Sequence, residues 1–159
     1  MGDNYMIIGK EFIWKKDHYV FHITNTDAMV SICSQGLIPL CGERSKSVND
    51  NTKGIFFFDD LSSVSDWINA LYETKDIYEL ELLRFNIKNR NWKIQNNNPY
   101  ALNEFYLIRK VLPEKIEYLR IYDTKKNMYL PLNYVDDYKV NKNLVWNSLD
   151  HYNPLVKSK

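Results

Sequence analysis

His22 and Glu104 are the residues whose surroundings make them candidates for chemistry. His22 lies in the middle of Tyr19-Val-Phe-His-Ile-Thr24, flanked by apolar neighbours. A histidine so placed is more often a satisfied core residue than a functional one. Glu104 opens a run that is apolar and aromatic to Val111 apart from Arg109 and Lys110. An ionised carboxylate there is costly unless it faces a cleft or a partner. A strand-end ion pair and a carboxylate turned into a cleft both meet that condition.

Rival chemistries are absent from the sequence pattern. No serine–histidine–acid set, glycine-rich phosphate loop or metal-ligand cluster appears. His18 and His151 have no companions at useful spacing and are expected at the surface. Cys33 and Cys41 lack the close pairing of a metal site, and two cysteines make no disulfide framework, so a reducing compartment fits.

The elements that must position these residues belong to one domain. The chain has 159 residues, 45% of them hydrophobic and 14% aromatic, enough for a packed core. Tyrosine supplies 12 of the aromatics, which suits clefts and interfaces. The net charge of +1 excludes a generic polyanion binder. Yet between Arg84 and Lys126 ten Lys and Arg stand against four Asp and Glu, a local excess of six positive charges. That stretch is either a solvated surface or a wall beside phosphate groups. No apolar stretch approaches a membrane span, and the N-terminus lacks the apolar region of a signal peptide, so a cytoplasmic location is expected.

Tyr19 to Thr24 reads as a strand. Thr26 or Asp27 caps a helix to about Gln35, with Ala28, Ile32 and Cys33 on its apolar face and Gly36 as its stop. Pro39 to Lys53 is a polar loop. Gly54-Ile-Phe-Phe-Phe-Asp59 is a second strand, and Asp60 or Ser62 caps a helix through Trp67, Leu71 and Tyr72. Ile77 to Phe85 is a third strand. Asn86 to Asn103 is the largest irregular stretch, with a turn signal at Asn96-Asn97-Asn98-Pro99. Glu104 to Val111 is a strand broken by Pro113, and Ile116 to Tyr122 is another. From Thr124 the signals are weaker, with edge strands or a short helix around Leu144 to Leu149. The class is α+β, with strands outnumbering helices.

The order of these motifs resembles the ADP-ribosyltransferase superfamily, in its His–Tyr–Glu branch of poly-ADP-ribose polymerases and diphtheria-type toxins. The motifs are His22-Ile23-Thr24, then Gly54 to Asp59 with the Trp67 helix, then Asn103-Glu104-Phe105 and Leu112-Pro113-Glu-Lys-Ile-Glu-Tyr-Leu119. Phe21 to Ile32 is also similar to the opening of bacterial toxins that ADP-ribosylate DNA bases. The resemblance spans residues 19 to 122, with 123 to 159 as a C-terminal extension, and implies one domain with a split β-sheet core and a few short helices. It implies that His22 bonds a ribose hydroxyl of NAD and that Ile23 holds the nicotinamide carboxamide through its backbone, with Thr24 beside it. Phe56 and Trp67 become walls of the nicotinamide pocket, and Glu104 the catalytic carboxylate. Position 56 is Phe where the family has Tyr. Val64 stands where the family often carries a carboxamide-binding serine, flanked by Ser63 and Ser65.

The implied activity is mono-ADP-ribosylation, a glycosyl transfer from NAD as co-substrate to a nucleic acid or protein, in a toxin or phage or bacterial conflict effector. Such an effector acts in its own cytoplasm or in that of a target cell, and a cognate antitoxin is an expected partner. The resemblance places acceptor recognition in the loop before Glu104. There Trp92 and Tyr100 would stack on a base, Asn96, Asn97 and Asn98 would read base edges, and Arg90 and Lys93 would hold phosphates. The plain alternative is a polar loop whose aromatics pack back onto the sheet. Arg44 and Lys46 would meet the NAD pyrophosphate or stand solvated. Nucleic acid is favoured over protein by the basic stretch. An NAD glycohydrolase, a non-catalytic NAD or ADP-ribose binder, or an inhibitor on the same fold stand as alternatives.

Overall fold

The computed structural model describes residues 5–8, 11–39, 54–74, 76–95, 104–132 and 142–155, with the backbone alone at 5–8, 11, 77, 95, 104 and 142. It is α+β and mostly antiparallel, with two helices among the described residues.

Two sheets make up the molecule. The first contains β1 (Tyr5–Ile8), β2 (Glu11–Trp14), β6 (Asn91–Gln95), β7 (Glu104–Leu107) and β4 (Ile55–Phe57), in that order across the sheet. The second runs β10 (Lys142–Ser148), β8 (Ile116–Asp123), β5 (Leu80–Asn86), β3 (Tyr19–Asn25). The short β9 (Met128–Leu130) pairs with the far end of β8, from Ile121 to Asp123, while β5 pairs with Ile116 to Tyr118. The sheets touch where Phe21 of β3 bridges Phe58 just past β4, through Phe21 N–H to Phe58 O at 2.9 Å and Phe58 N–H to Phe21 O at 2.7 Å.

Strand alternation sorts side chains to two cores. On β5, Leu83 and Phe85 face one core and Leu80 and Leu82 the other, so both faces of this strand are buried. The first core lies between the sheets. Val20, Leu83, Phe85, Ile116 and Tyr118 meet Ile55, Phe57, Trp92 and Leu107 there, with Met29 and Ile32 of α1 (Met29–Gln35). The second core lies under α2 (Leu61–Tyr72). Leu61, Val64, Ile68 and Leu71 form one stripe at helical spacing, set against Leu119 and Ile121. Asp60 caps α2, its Oδ1 accepting from Ser63 N–H at 2.7 Å.

Several expectations change. Asn25 rather than Thr26 or Asp27 is the cap, accepting from Ala28 N–H at 3.2 Å, and it starts a 3₁₀ turn at Thr26–Ala28 ahead of α1. Gly36 does end α1, at φ 81°. A Cβ there would stand 2.0 Å from the Val111 carbonyl oxygen, which the adjacent Leu37–Val111 bridge holds in place. Asn86 to Asn103 is not irregular throughout, since β6 lies inside it. The strand from Glu104 stops at Leu107, and the chain bends at Ile108 and Arg109. Around Leu144 to Leu149 the chain is strand β10, followed by a 3₁₀ turn, not a helix. The N-terminal hairpin of β1 and β2 carries no expectation from the sequence.

Candidate functional site

The bridge at Phe21 and Phe58 fixes the geometry around His22. Val20, His22 and Thr24 share one face of β3, and Val20 on that face belongs to the core between the sheets. His22 therefore points across to the first sheet, where its Nδ1 lies 2.6 Å from the carbonyl oxygen of Phe56. A carbonyl only accepts, so Nδ1 carries the proton and Nε2 presents its lone pair. Burial pushes the His22 pKa below 6.5 despite the opposing effect of the hydrogen bond it donates to the Phe56 carbonyl, so the ring is neutral at pH 7. A neutral ring with a fixed tautomer is an acceptor for a hydroxyl.

The same bridge leaves an open edge. In an antiparallel ladder, successive residues direct their N–H and C=O to opposite sides of the strand. Phe21 directs both to Phe58, so Ile23, two residues on, directs both to the same edge of β3, away from β5. Among the described residues nothing pairs with them there. The Ile23 side chain turns the other way from His22, into the second core. Thr24 is half-buried on the His22 face, opposite Glu81.

Phe56 pairs with Tyr106 across β4 and β7, and the two rings lie 5.5 Å apart and tilted. Gly54 is part of this arrangement, because a Cβ there would come within 2.6 Å of the Tyr106 ring. Glu104 sits two positions along β7 from Tyr106, in register with Gln95. Trp67 of α2 is half-buried, with its ring 6.2 Å from that of Phe58. The structure thus joins His22 to the Phe56 carbonyl and sets the Trp67 ring against Phe58, two residues along the chain.

Other expected site residues lie elsewhere. Ser63 is exposed in the first turn of α2, Val64 is in the second core, and Ser65 is 4% exposed with a partner of its own. Trp92 corrects the acceptor-loop reading. It is 6% exposed in the first core, stacked on Phe12 at 4.5 Å and edge-on to Phe105, so it cannot meet a base. The alternation of Trp92 and Ile94 with Asn91 and Lys93 drives this burial. Arg44, Lys46, Asn96, Asn97, Asn98 and Tyr100 lie outside the described residues.

His18 is not the plain surface residue expected. It is half-buried, stacked on Trp14 at 4.0 Å, and its Nε2 meets Asp59 Oδ1. Asp59 directly follows the Phe58 bridge, so this pair fastens the entrance of β3 to the end of β4. Sequence separation hid it. Tyr106 was also missed, although its place two residues after Glu104 in a strand was the available signal.

No family model, curated protein or solved structure matches the chain.

Proposed function

We propose that the protein is a mono-ADP-ribosyltransferase that breaks the nicotinamide–ribose bond of NAD and transfers ADP-ribose to a macromolecular acceptor, with nucleic acid favoured over protein. The observation that carries this reading is the pairing of a neutral His22, locked to the Phe56 carbonyl, with the open backbone edge of Ile23. A carboxamide carries one acceptor and two donors. An N–H and a C=O on one strand edge match it, as the motif resemblance implies for Ile23. His22 Nε2 suits a ribose hydroxyl. Phe56, Tyr106 and Trp67 supply flat apolar surface for a ring that leaves.

In this reading Glu104 contributes charge. Loss of nicotinamide builds positive charge on the ribose carbon and ring oxygen, and a carboxylate near the 2′-hydroxyl stabilises it. The two-residue period of β7 puts position 104 on the side of the strand shared with Tyr106. The same carboxylate can take a proton from a hydroxyl or amine acceptor.

A second reading, NAD binding without transfer, draws on α2. Val64 is in the core and Ser63 sits in the capped first turn, so the serine that would hold the carboxamide from the helix side is missing. The test is incubation with NAD labelled in the adenylate, followed by separation of DNA, RNA and protein pools. Transfer predicts that one pool gains label and that Glu104→Ala loses roughly a hundred-fold or more of it. Undiminished labelling by Glu104→Ala would remove the assignment, and NAD binding without nicotinamide release would support the second reading.

A further inference from the structure

A cationic hollow lies away from His22, on the first sheet. The hollow, of about 520 Å³, is lined by Lys88, Asn89, Arg90, Asn91, Leu107 and Arg109. Three of the six are cations, and no carboxylate is among them. Leu107, 1% exposed, forms the apolar floor, while Lys88, Asn89 and Arg109 are exposed at the rim. A small-molecule pocket is enclosed and mostly apolar. This one is open and cationic, the form suited to an anionic chain lying across the surface.

Its walls are pinned. Asn89 takes a left-handed turn at φ 62°, with its N–H on the Trp14 carbonyl at 2.9 Å. The Arg90 N–H bonds the Ile87 carbonyl at 3.0 Å, and one guanidinium nitrogen reaches across to the Lys110 carbonyl at 3.4 Å. That contact ties the Lys88–Asn91 turn to the segment after β7 and leaves most of the Arg90 donor fork for another acceptor. Behind it, Val111 is bridged to Leu37. Asp17 accepts from the Asn86 amide at 2.9 Å, and Asn86 Oδ1 in turn accepts from the Lys88 N–H at 3.0 Å. Arg90 is thus held by backbone bonds, no carboxylate is among the lining residues, and two of the three cations are arginines, whose planar forks match phosphate.

We infer that this hollow binds the backbone phosphates of a nucleic-acid strand. The inference rests on the proposed function for the use made of that strand, as acceptor, but not for its binding.

The probe is a fluorescein-labelled single-stranded DNA oligonucleotide, followed by anisotropy over a salt series in the absence of NAD. The full chain binds it, and Lys88→Ala with Arg109→Ala weakens binding at least roughly tenfold and lowers the salt slope by about 1.4, the share of two phosphate contacts. Lys125→Ala with Lys126→Ala removes the same charge from the exposed β8–β9 turn and leaves binding near that of the wild type. Glu104→Gln binds as the wild type, so loss of NAD chemistry and loss of strand binding are separable. Equal weakening by the two lysine and arginine pairs, equal displacement of the probe by polyglutamate of matched charge, or no binding by the wild type at about 50 mM salt would each overturn the inference.

Discussion

At His22, one side chain has two tasks that point the same way. Its Nδ1–H holds the Phe56 carbonyl and so links the sheets, and its half-buried ring must stay neutral to do so without an unpaired charge. Because burial lowers its pKa in the folded chain, the unfolded chain binds the proton more tightly. The stabilisation is complete above the unfolded value of about 6.5 and is lost as pH falls through the lower folded value. The melting temperature of the wild type relative to His22→Asn is expected to drop as the buffer is taken from about pH 7.5 to about pH 5. A gap that stays level or widens in acid would show that the ring is not held neutral. The importance of His22 was legible from a histidine among apolar neighbours in a strand. The burial of Trp92 and the His18–Asp59 pair were not, since both depend on partners far away in sequence.

Among the elements, β5 and β8 show how this fold handles charge. They separate beyond Tyr118, and the gap is closed by Arg120, whose Nη1 donates to both Glu81 oxygens at 3.1 and 3.2 Å. Its Nη2 donates to the Asn153 carbonyl at 2.5 Å, tying the C-terminal segment to the sheet. Glu81 and Arg120 are 2% and 7% exposed, so removing either leaves a buried charge alone. Glu81→Ala is expected to cost about 3–5 kcal/mol, read by urea unfolding. Glu117→Ala breaks the half-exposed pair with Arg84 and should cost about 1 kcal/mol or less. Similar costs for the two would mean that the Arg120 pair is solvated in solution. Sequence pattern located β3, β4, the capped α2 and the end of α1 at Gly36, where local signals coincide. It missed β6, although that strand alternates, and left β10 open between an edge strand, which it is, and a short helix. The asparagines around β6 in the sequence resemble a loop, and the single Leu144–Leu149 stretch has no local feature that distinguishes a strand from a helical turn.

Taken whole, the molecule is two antiparallel sheets joined by the Phe21–Phe58 bridge, the His22–Phe56 hydrogen bond and the His18–Asp59 pair, with one core between them and another beneath α2. The bridge leaves the Ile23 edge open and brings a β3 histidine onto β4. The basic hollow sits where the turn from β5 of the second sheet enters β6 of the first, so the proposed NAD site and the inferred strand-binding surface occupy different parts of one scaffold. The class of fold was readable from alternation and punctuation, whereas the meeting of the sheets follows from pairings between residues about 35 positions apart, such as Phe21 with Phe58. The central claim is that a carboxylate at position 104 drives departure of nicotinamide from NAD. It is tested most directly by the rate of nicotinamide release from NAD by the wild type and by Glu104→Gln at equal enzyme concentration. The account predicts release by the wild type and a fall of roughly a hundred-fold or more in the variant, with melting temperature unchanged. Equal rates in the two proteins, or no release by the wild type, would contradict it.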